Sequence, residues 1–222
     1  MNATRPAGVR VWDLPTRLCH WALAVLIALQ YATGEFGVLD WNWHFRLGYA
    51  TLALLVFRVL WGVCGSQTSR FGEFVRGPRV VLRYVSAQFS TNPQRSIGHN
   101  PLGGWSVLAL LACTAVQTLS GLFASDELAD DGPLAAHVGA RTVRWLTRVH
   151  AWNQNLLLAL VVLHVAAVLL YLVLKREDLI VPMLTGRKPL AAAPALRFAS
   201  PWLALGLFAA SCAAVAALVW WA

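Results

Sequence analysis

Long runs of apolar residues, separated by short polar and basic stretches, set the pattern of this chain. A helix needs about 20 mostly apolar residues to cross the hydrocarbon core of a bilayer. Five stretches reach that length, at about 18–35, 44–64, 103–124, 149–174 and 201–221. The pattern predicts an all-α integral membrane protein with five transmembrane helices. The first stretch has the make-up of a signal peptide, with basic residues before it and small residues near Ala32 and Gly34. It also carries His20, and on that ground it is expected to be retained. The fifth opens on Ser200-Pro201, a good N-cap followed by proline at the first helical position. It closes on Trp220-Trp221, the residue type of an interfacial aromatic belt.

The connections carry their own signals. Phe71–Phe89 mixes Phe, Val and Leu with arginines and reads as an interfacial segment, broken at Gly77-Pro78. Residues 125–147 form a loop long enough for a short helix. Ala191-Ala192-Ala193-Pro194 reads as a plain linker. The chain thus divides into a four-helix bundle over residues 1–190 and a linker with an added fifth helix over 191–222.

Basic residues fix the expected orientation. Arg5, Arg10 and Arg17, the arginines from Arg70 to Arg95, and the Lys175–Arg197 group all fall on one side. The other side has Arg141, Arg144 and Arg148, diluted by Asp126, Glu127, Asp130 and Asp131. By the positive-inside rule the N-terminus is cytoplasmic and the C-terminus external.

Composition narrows the function. The chain of 222 residues is 58% hydrophobic and 13% charged, against about 25% charged in a soluble domain. The net charge of +8 is dispersed between apolar blocks, without the basic helix or recognition motif of a nucleic-acid binder.

The candidate chemistry lies in histidines. Four of the six, His20, His44, His150 and His164, fall in the apolar stretches or their first turns. An ionisable residue at membrane depth points to function. His150 and His164 share a helix fourteen residues apart, which puts them on one face about 21 Å apart along the axis. His20 begins the first span at the cytoplasmic end, level with His164; His44 begins the second at the external end, level with His150. The topology therefore pairs His20 with His164 and His44 with His150. Zinc or copper would ask for further close ligands, and none is placed to supply them. Haem needs two axial ligands and a slot between helices. Cys19, Cys64, Cys113 and Cys212 form no CxxC or CxxCH pattern, so the expected cofactors are two haem b groups without thioether links.

Fourteen residues past His44 stands Arg58, a charge suited to a haem propionate, or else one that snorkels to the surface. Arg17, a turn before His20, suits the same partner or serves as a basic anchor. Gly34, fourteen residues past His20, either lets a macrocycle approach the backbone or ends the helix; Gly103, Gly104 and Gly121 admit the same readings. His99 and His137 have no depth-matched partner and are not assigned to iron.

These residues resemble the bacterial di-haem cytochrome b561 family and are similar to the b-type cytochrome subunits of membrane-bound nickel–iron hydrogenases and formate dehydrogenases. The resemblance covers about residues 9–190. It rests on Val11-Trp12-Asp13-Leu14-Pro15-Thr16-Arg17 leading to His20-Trp21, on His44, on Arg76-Gly77-Pro78-Arg79, on Gly98-His99-Asn100-Pro101, and on His150 with His164. It implies a four-helix haem-binding bundle in the bacterial inner membrane. It further implies electron exchange with ubiquinone or menaquinone, with Asn100, His164 and Lys175 placed to line the site; Asn100 equally suits a helix cap. The fifth span, free of histidine and charge, departs from the pattern and suits packing, dimerisation or partner docking.

Without a flavin, nicotinamide or iron–sulfur motif, substrate oxidation falls to another protein. The leading reading is transmembrane electron transfer between the quinone pool and a periplasmic partner, a c-type cytochrome or a dehydrogenase or hydrogenase subunit. The alternative is a stand-alone superoxide:quinone oxidoreductase, with Arg141, Arg144 and Arg148 attracting the anion. A haem sensor or assembly factor is a third class; quinol would reduce neither of its haems.

Overall fold

The computed structural model describes residues 8–87, 96–125, 131–190 and 194–222. The basic residues Arg5 and Arg95, the acidic residues Asp126, Glu127 and Asp130, and the alanines of the linker lie outside them. A two-residue strand β1 (Val9–Arg10) leads into α1 (Leu14–Phe36) and α2 (Trp41–Cys64). Short helices α3 (Phe71–Phe74) and α4 (Pro78–Ala87) follow, then α5 (Pro101–Gly121) and α6 (Ala140–Leu174). Helix α7 (Ile180–Thr185), strand β2 (Arg187–Lys188) and α8 (Pro201–Trp221) complete the described order.

Local chemistry explains where these helices start. Asp13, Asp40, Asn100 and Ser200 occupy N-cap positions, each accepting a hydrogen bond from a backbone N–H of the first turn. Proline enters the first turn of α1, α5 and α8, where no backbone donor is lost. Helix α1 stops at Gly37, in the left-handed conformation at φ 57°.

Helices α2, α5, α6 and α8 are each long and apolar enough to cross a membrane. This is a multi-pass membrane protein. Helix α1 has 23 residues, but His20, Gln30, Thr33 and Glu35 dilute its apolar character.

Several boundaries differ from the expected ones, α1 starting at Leu14 rather than 18 and α2 at Trp41 rather than 44. Helix α6 begins at Ala140 rather than near residue 149, and α5 ends at Gly121 rather than 124. Apolarity marks only the lipid-immersed part of a helix, whereas Arg141, Arg144 and Arg148 are compatible with helical hydrogen bonding outside it. At 35 residues, α6 is about 52 Å long and outreaches a hydrocarbon core of about 30 Å.

Helix α1 packs along α2, α5 along α6, and α2 also meets α5 and α8. Ala204, Ser211 and Val215 of α8 are buried at spacings that keep them on one face. They bring α8 against the core formed by Leu52, Ala53, Leu55, Phe57 and Trp61 of α2. Small residues permit this close approach. At the end of the molecule that carries His20, β1 pairs antiparallel with β2, Val9 opposite Lys188, and ties the start of the chain to the segment after α6.

Candidate functional site

Helix α6 presents His150 and His164 to two partners on two other helices. The His44 and His150 ring centres are 6.4 Å apart, with the ring planes at 76°. The His20 and His164 centres are 6.3 Å apart, with the planes at 54°. Imidazoles on opposite sides of one metal ion, each bonded through nitrogen at about 2 Å, have ring centres about 6 Å apart. A direct hydrogen bond would draw them to about 5 Å. Both pairs are thus spaced so that one metal ion would fit between their rings.

Around His44 and His150 the hydrogen bonds determine which ring nitrogen is bare. His150 Nδ1 stands 2.9 Å from the Gln117 carbonyl oxygen, which can only accept, so Nδ1 carries the proton. The Thr33 hydroxyl donates to the Gln30 carbonyl at 3.0 Å. Its oxygen then accepts from His44 Nδ1 at 2.9 Å. In both rings Nε2 is left as the lone-pair nitrogen, the form that binds a metal. The Gln117 amide donates to His150 Nε2 at 3.1 Å, while its own oxygen accepts from Asn153 Nδ2 at 2.7 Å.

A cavity of ≈ 500 Å³ opens beside this pair, lined from α1, α2, α5 and α6. Ala24, Ala28, Gly48 and Ala151 keep its walls thin. Gly34 stands directly against the His44 ring: a Cβ there would lie 3.1 Å from Cε1. What this glycine admits is the imidazole itself.

The His20 end has a different character. His20 Nδ1 is buried with no hydrogen-bond partner. Arg58 is 6% exposed, its guanidinium 5.1 Å from the Phe71 ring centre, and its Nη1 is buried without a partner. Arg17 is turned elsewhere. It donates to the backbone carbonyls of Met183 and Leu184, capping the end of α7.

Asn100 caps α5, its oxygen 2.7 Å from Gly103 N, and its amide donates to Tyr171 Oη at 3.1 Å. Tyr171 in turn lies 3.1 Å from Tyr84 Oη. Lys175 ends α6 as an exposed residue. His99 is clamped between Trp12 and Phe74, with ring centres 4.7 and 4.5 Å away, and its Nδ1 is buried without a partner. Burial, with Arg58, His20 and His164 nearby, pushes this imidazole down to about 3, so it is neutral at physiological pH.

Sequence reasoning passed over Thr33, Gln117, Ser120 and Tyr171. The signal for two of them was a hydroxyl residue directly before a glycine, at Thr33-Gly34 and Ser120-Gly121.

Among the described residues no group of three or more His, Cys, Asp or Glu side chains is close enough to hold a bare metal ion. The paired imidazoles, with a cavity beside His44 and His150, would fit a group that brings further ligands of its own.

The profile of the prokaryotic cytochrome b561 family matches residues 11–186. The chain belongs to that family. It is 24% identical over 209 residues to a probable Ni/Fe-hydrogenase B-type cytochrome subunit from Cupriavidus necator, an alignment covering 79% of this chain and 85% of the relative. A protein with the same description from Bradyrhizobium diazoefficiens is 24% identical over 212 residues, covering 81% of this chain and 85% of its own. A b-type cytochrome that carries haem and transfers electrons across a membrane is therefore the class of this protein. The family match ends at 186, before α8 begins.

Proposed function

We propose that this b561-family cytochrome holds two b haems, one between His20 and His164 and one between His44 and His150. Through them it passes electrons between a periplasmic redox partner and the membrane quinone pool. The observation that carries this reading is the repeated ring separation, 6.3 and 6.4 Å, at two levels of one helix. Haem iron supplies one-electron redox chemistry. The residues supply everything else.

His44 and His150 both line the cavity, each with Nε2 as its unprotonated nitrogen. Binding there requires the Gln117 amide to release His150 Nε2. Arg58, buried with an unpartnered nitrogen, is the group suited to a propionate of the haem at His20 and His164. Arg17 is less suited, being committed to α7. Helix α1 crosses the membrane as well, making five spans with α2, α5, α6 and α8, and turns His20 and Thr33 toward the bundle. Residues 1–190 form the electron-transfer unit and α8 braces α2. The basic connections put the N-terminus and the His20 end on the cytoplasmic side of the inner membrane, and the C-terminus in the periplasm.

The quinone site belongs at the cytoplasmic end, lined by Asn100, His164 and Lys175, with Tyr171 beside Asn100. Both relatives are described as hydrogenase subunits, which favours a hydrogenase as the source of electrons. Redox titration of the purified protein tests the reading. Two bis-histidine haems per chain, both reduced by quinol, are expected; a single haem per fully loaded chain contradicts it.

A further inference from the structure

The two hairpins α1–α2 and α5–α6 seat their histidines by the same local device. On α1, Thr33-Gly34 lies against His44 of α2; on α5, Ser120-Gly121 lies against His150 of α6. The glycines make room for the rings, since a Cβ would come within 3.1 Å of His44 Cε1 and 2.9 Å of His150 Cε1. The residue before each glycine places a hydroxyl oxygen near Nδ1, at 2.9 Å for Thr33 and 3.3 Å for Ser120. Both hydroxyls also donate backward to carbonyls of their own helix, Thr33 to Gln30 and Ser120 to Val116. Their oxygens therefore face the imidazoles as acceptors. The His20–His164 pair lacks this support: His20 Nδ1 has no partner, and no hydrogen bond to the His164 ring occurs among the described residues.

We infer that Thr33 and Ser120, the latter together with the Gln117 carbonyl, are positioning residues for the external pair. They fix the tautomer and the rotation of His44 and His150 before any haem arrives. This rests on the reading of His44 and His150 as haem ligands. An acceptor on Nδ1–H makes the imidazole a stronger donor through Nε2, and loss of such a partner typically weakens metal affinity about 10–100-fold. The two haem sites then differ in kind. The external one has acceptors on the Nδ1 of both its histidines, and the cytoplasmic one has none on His20 Nδ1.

The test compares Thr33→Val, which keeps the shape and removes the hydroxyl, with Thr33→Ser, which keeps the acceptor. Haem retention against apomyoglobin and the midpoint potential of each haem are measured on the full-length protein in detergent. Thr33→Val is expected to release the external haem about tenfold faster and to raise its potential, since a weaker donor favours the reduced iron. The cytoplasmic haem stays unchanged and Thr33→Ser restores wild-type behaviour. Adding Ser120→Ala to Thr33→Val enlarges the effect. Unaltered retention and potential in Thr33→Val, with His44→Ala still abolishing the external haem, overturns the inference alone. If His44→Ala keeps both haems, the ligand reading beneath it fails instead.

Discussion

Gly121 lies so close beneath the His150 imidazole that a Cβ at that position would stand 2.9 Å from Cε1. No real Cβ sits comfortably at that distance, and the ring cannot retreat without breaking the 2.9 Å bond from its Nδ1 to the Gln117 carbonyl. Gly121→Ala is therefore expected to lower occupancy of the haem at His44 and His150 to well under one per chain. Gly34→Ala, at 3.1 Å from His44 Cε1, should act in the same direction but less severely. The haem proposed at His20 and His164 serves as the internal reference, and pyridine haemochrome content with a redox titration reads both.

Arg58 poses a question of charge. An arginine at membrane depth costs at least about 2.5–3.5 kcal/mol on insertion scales, and its Nη1 has no hydrogen-bond partner. Arg58→Leu keeps the bulk and leaves a propionate's charge unpaired. The midpoint potential or occupancy of the haem at His20 and His164 should fall, with the other haem nearly unchanged. Redox titration checks this; unaltered values for both haems would mean that Arg58 serves packing against Phe71 only.

Asp13 is 2% exposed and serves two masters. One oxygen accepts from Thr16 N at 2.7 Å as the cap of α1, and the other accepts from Trp61 Nε1 of α2 at 3.1 Å. Asp13→Ala removes a cap, worth about 1 kcal/mol, and one of the two acceptors of the buried Trp61 indole N–H, which keeps Thr16 Oγ1 at 3.2 Å. A lower thermal midpoint in detergent is expected. Equal midpoints for Asp13→Ala and wild type would contradict this role.

These details mark how far the sequence could be read. Helical geometry alone puts His150 and His164 on one face, and the apolar runs locate α2, α5, α6 and α8 to within a few residues, apart from the start of α6. Helix periodicity does not say what a side chain on one helix meets on the next. Thr33 and Ser120 therefore passed as ordinary helix residues, and the Trp12–His99–Phe74 clamp, which joins three distant segments, was invisible. Arg17 shares the His20 face by spacing, yet α7 folds back to take its guanidinium. The extension of α6 escaped because apolarity stops at the membrane boundary while the helix does not.

Ser211 offers a test of α8. It is 1% exposed, its hydroxyl already satisfied by the Leu207 carbonyl at 2.8 Å, so its small size is what the contact with α2 uses. Ser211→Leu overpacks that contact at a cost of about 1–3 kcal/mol. The thermal midpoint should drop while both haem potentials hold, because α8 lies outside the four-helix site. A shifted potential at either haem would tie α8 to the redox centres.

The central claim is the pairing of four imidazoles into two haem sites, and paired histidine variants test it most directly. Haem per chain is measured together with the potential of each haem that remains. His20→Ala with His164→Ala should leave one haem, at the potential of the His44–His150 site. His44→Ala with His150→Ala should leave the other. His20→Ala with His44→Ala should leave none. Retention of one intact haem in that last variant, or loss of the same haem in the first two, would contradict the account.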